Sequence, residues 1–173
     1  VLNHQSGLTN WTANSYTGTL SDAKADLLFD PGSTFEYSGE AMNYLGRVVA
    51  EISQKSLSQL FQEELVPAFR LENTYFAYNE SLETQMAVGH WHNYPRFKAK
   101  FPDVDSPASG LYSAASDFSK ILLGLLNKVY LSESSYQLIS KIHQQIPTKK
   151  TLYDPAIKQG VGYGFFVTET EQG

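Results

Sequence analysis

Apolar residues recur at helical spacing in four stretches of this chain. Ala41, Leu45, Val48 and Ile52 form one stripe, widened by Met42 and Val49, and Ser38 stands before it as an N-cap. This periodicity predicts a helix over 38–53. Leu57, Leu60, Phe61 and Leu65 form a second stripe. It opens on the capping-box pattern Ser56-Leu57-Ser58-Gln59, and Pro67 is expected to stop it. A third helix is expected after Ser113, with Phe118, Ile121, Leu122 and Leu125 on one face. A fourth follows Ser132, with Leu138, Ile139 and Ile142. Residues 1–8 read as the end of a helix with Gly7 as its stop. Residues 161–168 are rich in aromatic and β-branched side chains and form the best strand candidate; residues 86–89 form a weaker one. A lone strand cannot satisfy its edges, so the last strand must pair with 86–89 or with partners outside the chain. The pattern as a whole is mostly α with one or two short β-strands, in a single helix-rich domain over 1–173 without repeats or linkers.

The stretch 29–52 organises the rest. Pro31-Gly32 is a turn signal, and Phe35 and Tyr37 alternate with Thr34 and Glu36 as in an extended segment. Tyr37 is thereby held at a helix entrance, where the dipole favours negative charge. That position suits a working phenol and equally suits a Tyr that only packs. Residues 10–28 are polar and irregular, with Trp11 and Tyr16 as anchors. Residues 71–83 read as a mixed connector, and 90–105 and 145–159 as loops.

Composition narrows the function classes. At 42% hydrophobic and 18% charged, 173 residues suffice for one globular domain with a real core. The net charge of -5 comes from interspersed acidic and basic residues, with no basic stripe for nucleic acid and no polybasic run for a membrane surface. No apolar run approaches the ~20 residues of a membrane span. No secretory leader pattern is visible, and the first residues do not read as a native start. With no Cys, disulfides, thiol nucleophiles and Cys-ligated metals are excluded.

Four pieces, in order, resemble the serine β-lactamase and penicillin-binding-protein superfamily, in its class C β-lactamase, D,D-peptidase and esterase branch. Asn3-His4-Gln5-Ser6-Gly7-Leu8 is similar to its His-x-Ser-Gly-Leu segment. Phe29-Asp30-Pro31-Gly32, Phe35-Glu36-Tyr37-Ser38-Gly39 and Tyr44-Leu45-Gly46 are similar to its Phe-x-Pro-Gly, Phe-x-Tyr-Ser-Asn and Leu-Gly run. Residues 109–117, Ser-Gly-Leu-Tyr-Ser-Ala-Ala-Ser-Asp, resemble its Gly-Gly-Leu-x-Ser-Thr-Ala-x-Asp helix start, and Gly162-Tyr163-Gly164-Phe165 the strand before its last catalytic motif.

The resemblance implies the helical domain of the β-lactamase/transpeptidase-like fold, as an internal piece of a larger two-domain α/β hydrolytic protein. The family's Ser-x-x-Lys nucleophile helix lies upstream of the His-x-Ser-Gly segment, and its Lys/His-x-Gly strand follows the last one. Both are expected outside this chain. Tyr37 corresponds to the family's catalytic Tyr, which acts with the Lys to take the proton from the nucleophilic Ser. A free phenol titrates near ~10, so it needs a nearby cation to act as a base at neutrality. Gly39 stands where the family has Asn, and contributes only backbone. Ser38, Gly39, Trp91 and Tyr94 are the positions implied to line substrate, the last two from a loop near the mouth of the site. The partners implied are the missing α/β domain and a small-molecule or peptide acyl substrate, with no cofactor; the location implied is periplasmic or extracellular. Val1 and Gly173 are expected to lie near each other, and an apolar surface near Tyr37 and Phe165 is expected to be exposed and able to drive self-association.

Other signals weigh less. Ser21-Asp22-Ala23-Lys24 is formally Ser-x-x-Lys, but a polar loop downstream of His4 is the wrong place for the family nucleophile. Lys149-Lys150-Thr151 lacks the Gly of the third motif and reads as a solvated turn. His90-Trp91-His92 has metal-binding spacing if extended, with only Asp103 and Asp105 as further ligands, and reads as an exposed aromatic loop. His4 and His143 read as structural. Three functions remain open: part of a serine hydrolase working through an acyl-serine intermediate, a non-catalytic module binding peptidoglycan-like peptides or a protein, and a metal-binding helical domain centred on His90 and His92.

Overall fold

A computed structural model describes residues 1–11, 26–90, 92, 105–146 and 158–170. Helix α1 (Gly39–Ser53) starts at Ser38, whose extended backbone and Oγ accepting the Ala41 N–H make the expected cap. Ser56 and Gln59 form the reciprocal capping box that opens α2 (Leu57–Leu60). The chain then runs through a π-helical segment (Phe61–Leu65) into α3 (Val66–Phe69). Pro67 therefore does not stop the helix, as its lack of an N–H had suggested. In the π segment the Val66 N–H reaches back five residues to the Phe61 carbonyl, and the wider turn makes room for the pyrrolidine ring. The helix ends at Arg70 in left-handed backbone.

Strand β1 (Thr74–Phe76) lies in the expected connector and pairs antiparallel with β2 (Leu111–Ser113), Thr74 opposite Ser113. That pairing takes Ser113 away from helix capping. Helix α4 (Ala115–Leu126) starts instead at Ala114, without a side-chain cap. Asp117 ties the two elements together. Its carboxylate accepts the Glu72 and Asn73 N–H groups at 2.7 and 2.6 Å and the Thr74 hydroxyl at 3.0 Å, and meets Lys120 Nζ at 2.8 Å. Only 1% of Asp117 is exposed, and the Lys120 ammonium and the Asn73 amide hold its carboxyl far below the usual range. Further along α4, Gly124 lets Phe69 and Tyr130 approach the backbone; a Cβ there would lie 2.7 Å from Phe69 and 2.6 Å from Tyr130.

Helix α5 (Glu133–Ser140) is capped by Ser132 as expected. The strand expected over 161–168 is instead a hairpin. Strand β4 (Lys158–Val161) turns through Gly162 and Gly164 into β5 (Phe166–Glu169), and β4 also pairs with β3 (Gln144–Gln145), in the antiparallel order β3-β4-β5. Residues 86–89 form no strand. The fold is thus helix-rich with short strands, and the strands find their partners within the chain.

Residues 1–8 are not helical. Their backbone groups bond to the organising turn: Leu28 N–H to Gly7 O, Gly32 N–H to Gln5 O, and Glu36 N–H to His4 O. His4 turns the chain in left-handed backbone, φ 55°. Phe35, Ile146 and Val161 form the buried cluster that seats this turn on the β3-β4-β5 sheet.

Candidate functional site

The first turn of α1 is fastened to residues 9–10 by three hydrogen bonds. Ser38 Oγ donates to Thr9 O at 2.7 Å, Gly39 N–H to Asn10 Oδ1 at 2.9 Å, and Glu40 N–H to Asn10 O at 3.0 Å. With Ala41 N–H bonded to Ser38 Oγ at 2.9 Å, the amides at 39, 40 and 41 are all engaged. Ser38 is fully buried, and its hydroxyl serves this cap.

His4 lies directly beside Tyr37. Its Nδ1 accepts the Ser38 N–H at 3.1 Å, which fixes the neutral tautomer with the proton on Nε2. The residue is 5% exposed, and burial holds the imidazole pKa below its ordinary value. Its ring centroid lies 4.4 Å from that of Tyr37, with the rings tilted by 30°. Phe35 meets the imidazole edge-on at 6.0 Å, and Phe166 of β5 stacks 6.4 Å from both His4 and Tyr37. Tyr37 keeps 44% of its surface exposed. The arrangement is a half-exposed phenol held against a neutral imidazole, on backbone fixed by a helix cap.

Of the positions expected to line substrate, Tyr37, Ser38 and Gly39 lie together at the α1 entrance, whereas Trp91 and Tyr94 fall outside the described residues. Sequence reading gave His4 as structural and Trp11 as an anchor, and placed neither at the α1 entrance. Both come from an upstream segment held against the entrance by long-range hydrogen bonds, which no periodicity or cap within residues 1–11 announces. A Cβ on Gly39 would lie 2.9 Å from the Trp11 indole, so that ring fills the space where a side chain at 39 would begin.

His90 and His92 are exposed, and among the described residues no three His, Cys, Asp or Glu gather as for a metal ion. Asp105 accepts the Ser58 N–H at 3.1 Å and so braces the start of α2. His143 stacks on Tyr163 at 4.1 Å. Ser21, Lys24, Asp103 and residues 149–151 fall outside the described residues, as does Gly173; the hairpin turn at Gly164 bonds to Leu2 O. No described helix is long and apolar enough to cross a membrane. Beside Phe166 an open apolar cleft of about 480 Å³ lies between α4, α5 and β5, lined by Leu122, Leu126, Ile139 and Phe165 among others.

A family profile described as Beta-lactamase matches residues 1–173. No curated protein sequence matches the chain. Among solved structures, EstCE1, described as a hydrolase with promiscuous acyltransferase activity, is similar at 21% identity and TM-score 0.75, over 99% of this chain and 56% of that one. A penicillin-binding protein from Bacillus halodurans is similar at 17% identity and TM-score 0.73, over 98% and 55%. A D-stereospecific amidohydrolase from Streptomyces sp. is similar at 17% identity and TM-score 0.69, over 95% and 54%. The chain thus spans about half the length of these structures.

Proposed function

Because the chain belongs to the beta-lactamase family, we propose that it forms one wall of a serine hydrolase active site, with Tyr37 as part of the general base. In the whole protein a Ser and a Lys from outside residues 1–173 complete the site. The Ser Oγ–H gives its proton to the Tyr37–Lys pair, and the oxygen attacks the carbonyl of an ester, amide or lactam. The C–O or C–N bond then breaks, the leaving group takes the proton back, and water hydrolyses the acyl-serine. The observation that carries this reading is the Tyr37 ring, exposed and braced by a buried neutral imidazole at a capped helix entrance. The remainder of that protein is the partner we assign to the apolar cleft beside Phe166. On this reading residues 1–173 alone have no hydrolase activity.

Two measurements test the proposal. The coding sequence on either side of the chain should supply Ser-x-x-Lys upstream and Lys/His-x-Gly downstream; absence of both sinks it. In the full-length protein, Tyr37→Phe should lower kcat on a p-nitrophenyl ester by about 10²–10⁴-fold, with the fold retained. An unchanged kcat would exclude Tyr37 from the base.

A second reading is favoured by Gly39, which offers no amide side chain beside Tyr37. In it the same fold is a non-catalytic module that binds peptidoglycan-like peptides or a protein. Retention of such a ligand by a full-length protein that lacks the flanking motifs would support it.

A further inference from the structure

Tyr37 leans on a neighbour that itself titrates, and the geometry decides which form of that neighbour can serve it. His4 Nδ1 is the acceptor for the Ser38 N–H at 3.1 Å, and the centroid of the same ring lies 4.4 Å from that of Tyr37. A proton on Nδ1 changes both contacts. It sets a donor against the Ser38 N–H, so the bond that fixes the peptide after Tyr37 is lost. It also places a positive charge beside the phenol, which favours the phenolate and so makes it a weaker base. On the hydrolase reading, the Tyr37–Lys pair gains a proton as it takes one from Ser. An imidazolium at this distance opposes that gain.

Among the described residues, the side chains in ring contact with His4 are Phe35, Tyr37 and Phe166, none of them a carboxylate. The acidic groups on the elements around it are Asp30 and Glu36 on the turn, Glu40 on α1, and Glu169 on β5, which pairs with Lys158 at 3.3 Å. Glu36 also reaches His4 through its backbone N–H, which donates to His4 O at 3.0 Å. Burial opposes protonation of the imidazole most, and the Val1 ammonium adds to it. We propose that His4 is the positioning residue of the Tyr37 base and serves it only as the neutral imidazole, so that protonation of His4 switches the site off. This rests on the hydrolase reading above and adds the regulation of that site: acid acts through the neighbour of the base.

The test uses the full-length protein. The kcat/KM for p-nitrophenyl acetate is recorded against pH over the range in which circular dichroism shows the protein folded. The His4 imidazole is titrated in the same protein by NMR of labelled histidine, its signal assigned by its loss in His4→Asn. The rate profile should bend at the pH where His4 takes its proton. In His4→Asn the side chain can still accept the Ser38 N–H and does not titrate. Its profile should lack that bend, so that below it the wild type loses about tenfold more per pH unit than the variant. A merely structural His4 would lower the whole profile on substitution and leave its shape alone. A bend at another pH, or one kept in His4→Asn, overturns the proposal. If His4→Asn does not fold, the coincidence of the two midpoints in the wild type still decides. If the wild-type protein hydrolyses no ester at any pH, the hydrolase reading fails by itself. The coupling is then read from tyrosine labelled at Cζ, with the Tyr37 signal assigned by its loss in Tyr37→Phe. A shift of that signal with the His4 midpoint supports the proposal, and a signal indifferent to that pH overturns it.

Discussion

The His4 imidazole lies 4.4 Å from the Tyr37 ring and accepts the N–H of the next residue, Ser38. One side chain thereby sets both the face of the phenol and the start of the helix behind it. Removing it leaves a buried N–H without its acceptor. His4→Ala should cost about 1–3 kcal/mol of unfolding free energy by urea titration. His4→Asn, whose side-chain oxygen can accept the same N–H, should recover part of it. Equal losses in the two variants would mean that the Ser38 bond contributes nothing.

The same contact makes stability depend on pH. Burial lowers the folded-state pKa of His4 below 6.5, its ordinary value. The unfolded chain therefore binds the proton first, and stability is lost as pH falls from 6.5 through the folded value. A protonated imidazole also cannot accept from Ser38. Melting temperatures recorded from pH 8 to pH 5 should fall, and His4→Asn should flatten that slope. A slope unchanged by the substitution would place the titrating group elsewhere.

Much of this fold is written locally, and most of the site is not. The Ser38 and Ser132 caps and the Ser56–Gln59 capping box are readable because each is closed by a bond within three residues. Ser113 misleads because its pairing with Thr74, 39 positions away, outweighs its cap propensity. In the run 161–168, Gly162 and Gly164 carry the turn that splits one expected strand into a hairpin, a signal present in the sequence but outweighed by the aromatic residues around it. The place of Tyr37 is legible from its own stretch and its resemblance to a family. The imidazole beside it, and the indole against Gly39, arrive through long-range hydrogen bonds that leave no period or cap to read.

Asp117 should govern the acid limb of stability. Lys120 and the Asn73 amide depress its folded-state pKa, so the unfolded carboxylate takes up protons first. Its contribution is present above about 4, the ordinary carboxyl range, and is lost as pH falls below it. Asp117→Asn should lower the melting temperature at neutral pH and weaken its fall between pH 5 and pH 3. If the variant melts as steeply with acid as the wild type, other carboxylates set that limb.

The apolar face beside Phe166 sets the behaviour of residues 1–173 expressed alone. Leu126 is 78% exposed, Phe166 62% and Leu122 44%, all lining one cleft. Contiguous surface of this kind is rarely left open on a monomer, and a second copy is the nearest apolar partner in a concentrated solution. Sedimentation velocity should show concentration-dependent association, and Leu126→Glu should shift the chain toward monomer without lowering its melting temperature, because the side chain contributes little to the core. A monomer at all concentrations, or association unaffected by Leu126→Glu, would show that this face does not drive contact between copies.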